Sequence, residues 1–280
     1  MKRARYYELV ENKIHCKLCP HKCKISPTKV GKCGVRKNIK NELYSLNYGK
    51  LSAINIDPIE KKPLYKFMEG SQTLSIGSFG CNFACAFCQN YSISKEIPST
   101  MKKSPEEIVK ITLNHKIPSI SYTYNEPTIF YEFMLDTAKI AKHRGLKNIV
   151  VTNGYIEKEP LEYLLQYVDG MNIDLKAYRD EAYRNVCDGS LEPVKKSIEL
   201  ANKFCHLEVT TLIVPGMNDD LEELTELFQW LASVDKTIPI HLSRYFPRYQ
   251  WKEPATSPSL MMEAKKIAET YLTNVYLGNI

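Results

Sequence analysis

The chain has 280 residues, with 38 Lys and Arg against 32 Asp and Glu, 44% hydrophobic and 25% charged residues. That balance is ordinary globular composition and excludes a disordered chain, and no run reaches the ~18 consecutive apolar residues of a membrane span. The formal charge of +6 is spread over doublets such as Lys61-Lys62 and Lys195-Lys196, which read as solvated faces rather than a nucleic-acid surface and still favour an acidic redox partner or an anionic substrate.

The basic start, Met1 to Val10, has no apolar core of a secretory leader, so a cytoplasmic protein is expected. Residues 1–72 read as a cysteine-rich extension, with a β-hairpin expected around Glu42–Ile56 and then the turn-rich run Asp57-Pro-Ile-Glu-Lys-Lys-Pro63. Residues 73–280 read as a second unit in which strand, loop and helix repeat. The expected strands are Thr73–Phe79, Ser119–Tyr124, Asn148–Thr152, Gly170–Lys176, Leu207–Val214 and Pro239–Leu242. They are short Ile- and Val-rich runs of the kind buried in parallel sheets.

Between them, Ser104-Pro105-Glu106-Glu107 offers an N-cap, a proline at the first helical position and a capping-box glutamate. A helix over Thr128–Arg144 should stop at Gly145, and Asp219–Val234 and Ser257–Leu272 are similarly amphipathic. Six β–α units are too few for an eight-stranded barrel. An α/β protein with either a doubly wound sheet or an incomplete six-stranded barrel is expected, and both put the chemistry at the carboxyl ends of the strands.

Seven of the nine cysteines fall into two tight groups. Without a secretory leader, such spacing more often holds metal than disulfides. Cys81-x3-Cys85-x2-Cys88 directly follows the first strand of the α/β region. Three thiolates in one loop can hold three irons of a cubane and leave the fourth open to a small ligand; a zinc knuckle or three buried thiols is the alternative. The other group is Cys16-x2-Cys19-x3-Cys23-x9-Cys33. It fits tetrahedral zinc, the preferred reading, and it can instead close a second, auxiliary iron–sulfur cluster. Cys187 and Cys205 stand alone and read as ordinary thiols. On the fourth strand, alternation puts Asp174 and Lys176 on one face, as a polar pair in the barrel mouth or a structural ion pair. His241, on the sixth strand, is either a site residue or a satisfied core histidine, and Arg244 is a candidate for holding an anion.

The cysteine triplet resembles the defining motif of the radical S-adenosylmethionine (SAM) superfamily. The resemblance implies a partial (β/α)6 barrel, a [4Fe–4S] cluster on Cys81, Cys85 and Cys88, and SAM chelated to the fourth iron. It also implies reductive cleavage of SAM to a 5′-deoxyadenosyl radical that abstracts hydrogen from a substrate. Phe87 matches the position that packs on the adenine. Glu126, in Tyr124-Asn125-Glu126 where relatives carry Gly-Gly-Glu, matches the acceptor of the SAM amino group, or is simply a glutamate at a helix start. Asn153 in Val151-Thr-Asn-Gly154 matches a loop that meets the ribose or carboxylate. Asp174-Leu-Lys176 is similar to a segment of glycyl-radical activating enzymes that faces SAM, and a SAM or substrate role is expected of His241.

Further runs extend the likeness over nearly the whole chain: Cys-Pro-His-x-Cys23, Gly31-Lys-Cys-Gly-Val-Arg36, Asp57 to Pro63, Ser243-Arg244 and Leu277-Gly-Asn279. They resemble the AmmeMemoRadiSam system radical SAM enzymes, which are similar to pyruvate formate-lyase activating enzyme. That resemblance implies a low-potential donor, ferredoxin or flavodoxin, and Memo-like and AMMECR-like partners. Family members carry a Cys-x2-Cys tail beyond Gly-Asn, whereas this sequence ends at Ile280. Activation of a glycyl-radical enzyme is the second hypothesis, and an iron–sulfur redox sensor or electron-transfer scaffold is the third.

Overall fold

The structure, a computed structural model, describes residues 1–280. Its main sheet has eight strands: β1 (Ala53–Pro58), β2 (Gln72–Gly77), β3 (Ser119–Tyr122), β4 (Lys147–Thr152), β5 (Gly170–Asp174), β6 (His206–Ile213), β7 (Ile240–Arg244) and β8 (Val275–Gly278). They lie in strict order from β8 to β1. From β2 to β8 every pair is parallel, and β1 closes the other edge antiparallel to β2. The central strands are buried almost throughout, with polar residues such as Ser121, Asn172 and Thr211 buried among their Ile, Leu and Val side chains. All six expected strands are present. Val275–Gly278 adds a parallel strand that the sequence reading did not include.

The crossover helices carry their own punctuation. Helix α1 (Pro105–Asn114) starts at a complete capping box: Glu107 N–H donates to Ser104 Oγ at 3.2 Å, and the Ser104 N–H donates to the Glu107 carboxylate at 2.7 Å. Helix α2 (Tyr131–His143) is preceded by a 3-10 turn over Pro127–Phe130 and ends before Gly145, whose φ of +75° suits glycine. Helices α3 (Lys158–Leu165), α4 (Leu191–Ala201), α5 (Leu221–Asp235) and α6 (Pro258–Ala268) complete the layer.

The hairpin expected at Glu42–Ile56 does not form. Glu42–Ser45 pairs instead with Arg36–Ile39, and Ala53–Pro58 joins the main sheet as β1. The reason lies at Lys40-Asn41, which adopt φ of +52° and +63° and make the left-handed two-residue turn that a tight hairpin requires. Ile14, Leu18, Val35 and Leu43 of the extension belong to the same continuous core as the barrel strands. Each apolar side chain buried there contributes about 1.5–3 kcal/mol. Arg36 Nη2 also donates to Glu132 Oε1 on α2 at 2.6 Å, a buried ion pair joining the two parts. No helix is long and apolar enough to cross a membrane.

Candidate active site

The loop that leaves β2 carries the cysteine triplet, and backbone hydrogen bonds fix its path. Ala84 N–H donates to Cys187 O at 2.8 Å and Ala86 N–H to Val186 O at 3.1 Å, while Ala86 O accepts from Gln250 and Trp251 at 2.9 and 3.0 Å. Gly80, at φ +87°, opens the loop; a Cβ there would stand 2.7 Å from Cys33 O, so only glycine fits. The loop is therefore held from three sides before any ligand binds.

Cys81, Cys85 and Cys88 line one cavity of about 380 Å³ at the carboxyl ends of the strands, a size suited to a small ligand. Phe87, Glu126, Asn153, Asp174 and Lys176 line it too, so the fold brings these expected positions together. Phe83 N–H donates to Cys81 Sγ at 3.4 Å. Burial, then the Glu126 carboxylate, pushes the Cys81 thiol up, and burial followed by Cys85 does the same at Cys88. Cys85 is held well above the ordinary thiol value, first by the neighbouring Cys187 thiol and then by burial. These are protonated thiols that a metal would deprotonate on binding.

Glu126 ends β3 and caps the 3-10 turn. Its Oε1 accepts from Thr128 N–H at 2.8 Å and Thr152 Oγ1 at 2.7 Å, and its Oε2 accepts from Asn153 N–H at 2.8 Å. Burial raises its pKa in spite of these donors. Oε2 has one donor, so acceptor capacity remains on the cavity side. Asn153 Nδ2 donates to Asn82 Oδ1 at 2.8 Å, tying the β4 loop to the cysteine loop. Lys176 Nζ donates to Asp174 Oδ2 at 2.8 Å and lies 5.9 Å from the Phe87 ring centre. Burial alone would lower the ammonium pKa, but the neighbouring Asp174 holds it well above its ordinary value. The expected polar pair is therefore in place.

Two expectations are corrected. His241 does not line this cavity: it is buried near the amino end of β7, with Nε2 2.6 Å from Glu208 Oε2. The strand runs on to Arg244, two residues beyond the expected Leu242, so His241 lies towards its amino end and away from the mouth. Arg244 is occupied, donating through Nε to Thr256 O at 2.7 Å and packing over Phe246. Cys16, Cys19, Cys23 and Cys33 line a separate narrow cavity, so the fold brings this second expected group together.

Sequence reasoning missed Lys62 and Cys187. Lys62 lines the cavity, donates to Asp57 Oδ2 at 2.8 Å and lies 5.0 Å from the Tyr124 ring centre. Tyr124 Oη donates to the same Asp57 oxygen at 2.6 Å. Burial would raise the Asp57 carboxyl, but these donors bring it down to about 2. The charged run Asp57 to Pro63 was the available signal. Cys187 had none: a π-helical turn over Tyr183–Cys187 brings it behind Cys85.

The donor set fits a [4Fe–4S] cluster. Three thiols line the cavity and no fourth cysteine does, so a cluster held there would have one iron left for a ligand other than protein sulfur.

The sequence profile of the radical SAM superfamily matches residues 75–230. An uncharacterized protein of Methanocaldococcus jannaschii is 43% identical over the whole of this chain and 86% of its own length. Pyruvate formate-lyase 1-activating enzyme of Escherichia coli is 24% identical over 61% of this chain and 74% of its own. Among solved structures, QueE from Escherichia coli superposes with a TM-score of 0.52 at 15% identity, covering 83% of this chain and 94% of that one, and supports the fold.

Proposed function

Because the chain belongs to the radical SAM superfamily, we propose that Cys81, Cys85 and Cys88 hold a [4Fe–4S] cluster whose open iron takes SAM, and that the protein abstracts hydrogen from a substrate. When bound, the cluster supplies the electron that splits SAM into methionine and a 5′-deoxyadenosyl radical. The observation that carries this reading is the placement of three thiols and of Glu126, Asn153, Asp174 and Lys176 around one cavity.

The chain's own groups then divide the work of holding SAM. Glu126 offers its remaining Oε2 acceptor site to the SAM ammonium, in a buried position where a charge-assisted hydrogen bond is strong. Asn153 orients the ribose or carboxylate while its amide is fixed by Asn82. The Phe87 ring packs on the adenine. Lys176, held by Asp174, presents a fixed positive charge beside the cysteine loop.

The finer assignment is to the AmmeMemoRadiSam branch, with ferredoxin or flavodoxin as donor in the cytoplasm and Memo-like and AMMECR-like proteins as partners. The whole-chain motif series supports it. A second reading, activation of a glycyl-radical enzyme, is favoured by the likeness to pyruvate formate-lyase 1-activating enzyme. Anaerobic reconstitution followed by dithionite and SAM tests the main reading. The expected product is 5′-deoxyadenosine, lost in Cys85→Ala; a fully loaded cluster that releases none overturns it.

A further inference from the structure

Lys62 is a buried ammonium whose donors are only partly used. It is 3% exposed and lines the cysteine cavity. Asp57 Oδ2, at 2.8 Å, is the one protein acceptor that its Nζ reaches. An ammonium carries three N–H donors, so two are left without an acceptor from the chain. Charged donors unpaired in a buried place are costly and call for a partner.

The surroundings fix this ammonium in place. Asp57 Oδ2 also accepts from the Tyr124 hydroxyl at 2.6 Å, and Asn55 Nδ2 donates to Tyr124 Oη at 3.1 Å. The Tyr124 ring centre lies 5.0 Å from Lys62 Nζ. Tyr124 holds that position at φ +70°, a strained backbone for an aromatic residue of the kind that gathers at functional sites. Gly77 makes the room, since a Cβ there would stand 2.9 Å from Tyr124 Cβ. On the other side, the Pro63 carbonyl accepts from Asn172 Nδ2 at 2.8 Å and pins the segment to β5. Charge adds a separate observation. Lys61 also lines the cavity, and its Nζ lies 3.8 Å from Asp57 Oδ1. Two lysines thus share one carboxylate, which leaves a positive charge over at this wall.

We propose that Lys62, with Lys61 beside it, holds an oxyanion group of the substrate, a carboxylate or a phosphate, at this wall of the cavity. The proposal rests on the radical SAM reading only in calling that molecule the substrate. Lys62 is then a specificity-determining residue. Its unpaired N–H groups gain acceptors from an anionic ligand, and a neutral analogue leaves them unsatisfied. The lysines come from the connection between β1 and β2, whereas Glu126, Asn153 and Asp174, assigned to SAM, come from the ends of β3, β4 and β5. Substrate and SAM would therefore meet in one cavity while resting on different walls.

The probe is inorganic phosphate, titrated by anaerobic calorimetry into the cluster-loaded full chain. Saturable binding is expected, with Kd raised roughly 10- to 100-fold in Lys62→Met. SAM-saturated protein should bind phosphate with the same Kd, because the two ligands use different walls. Phosphate displaced by SAM would give Lys62 to the SAM carboxylate and overturn the proposal. Absence of binding, or an equal Kd in Lys62→Met, overturns it too. Should Lys62→Met fail to fold, Lys62→Gln keeps a donor for Asp57 and takes its place. A chain that cleaves SAM and is indifferent to phosphate would sink this inference alone. A chain that takes up no cluster yet binds phosphate through Lys62 would sink the radical SAM reading alone.

Discussion

Glu208 Oε2 lies 2.6 Å from Nε2 of His241, near the amino ends of neighbouring strands and away from the cysteine cavity. The same carboxylate takes His206 Nε2 at 2.9 Å and the backbone N–H groups of Tyr65 and Lys66 at 3.0 and 2.7 Å. Tyr65 packs on His241 and Tyr276, and Phe67 on His206. One fully buried carboxylate thus anchors the segment that connects β1 to β2 across the inner face of the sheet.

Replacing Glu208 with Ala should therefore cost about 3–5 kcal/mol, because four donors lose their acceptor in a buried place. Burial alone would raise the Glu208 carboxyl, but those donors bring it down to about 2. A carboxyl depressed in the folded state stabilises above its unfolded pKa, and the contribution fades as pH falls from about 4.5 towards 2. The loss should amount to roughly 3 kcal/mol. Urea unfolding at pH 6 and pH 3 measures both effects; a wild type and a Glu208→Ala variant with the same stability and the same pH profile would show that the anchor carries no weight.

Gly80→Ala should be damaging out of proportion to one methyl group. The residue sits at φ +87°, and the new Cβ would meet Cys33 O at 2.7 Å and Val35 Cγ1 at 2.9 Å. Left-handed strain and the backbone contact together cost about 1–3 kcal/mol. Thermal unfolding of the metal-free protein reads this directly, and a midpoint equal to that of the wild type would mean the loop has room to shift.

The site residues that were legible from sequence are those whose chemistry is local. Three cysteines in one eight-residue loop, and Asp174 two residues before Lys176, need only short-range geometry to converge. The helix starts at Ser104 and Ser257 were equally legible, since a cap is set by its own next turn. His241 was misplaced because depth along a strand depends on the register between strands, which no spacing along one strand reveals. The Arg36–Ser45 hairpin was missed because left-handed Lys40 and Asn41 lack the glycine that usually marks such a turn. Glu208 and Cys187 find their partners 33 residues away and across the barrel mouth respectively, so neither carries a local pattern.

Glu126→Gln should weaken SAM binding. The amide keeps one oxygen for the Thr128 and Thr152 donors, but it sets its NH2 against the Asn153 N–H and removes the negative charge meant for the SAM ammonium. A lost charge-assisted hydrogen bond of about 1.5–3 kcal/mol corresponds to roughly a 10- to 100-fold rise in Kd. Anaerobic titration calorimetry on cluster-loaded protein, with the thermal midpoint as a check on folding, gives the answer. An unchanged Kd would leave Glu126 as a helix-start residue and nothing more.

Cys187 offers the last prediction, on the electronic side of the site. It is fully buried, its carbonyl accepts from Ala84 N–H at 2.8 Å, and its thiol neighbours that of Cys85. The turn that delivers it is π-helical and ends on Asp188 at φ +59°, an arrangement uncommon enough to ask for a purpose. An S–H directed at a ligating sulfur favours the more negative, reduced cluster, as outer-shell donors do elsewhere. In Cys187→Ala the backbone bracing survives, so iron content should hold, while the midpoint potential of the SAM-responsive cluster should move down. Cys187→Ser keeps a donor and should stay nearer the wild type. A redox titration followed by electron paramagnetic resonance measures all three proteins; identical midpoints would reduce Cys187 to a packing residue, and iron lost from both variants would make it a ligand instead.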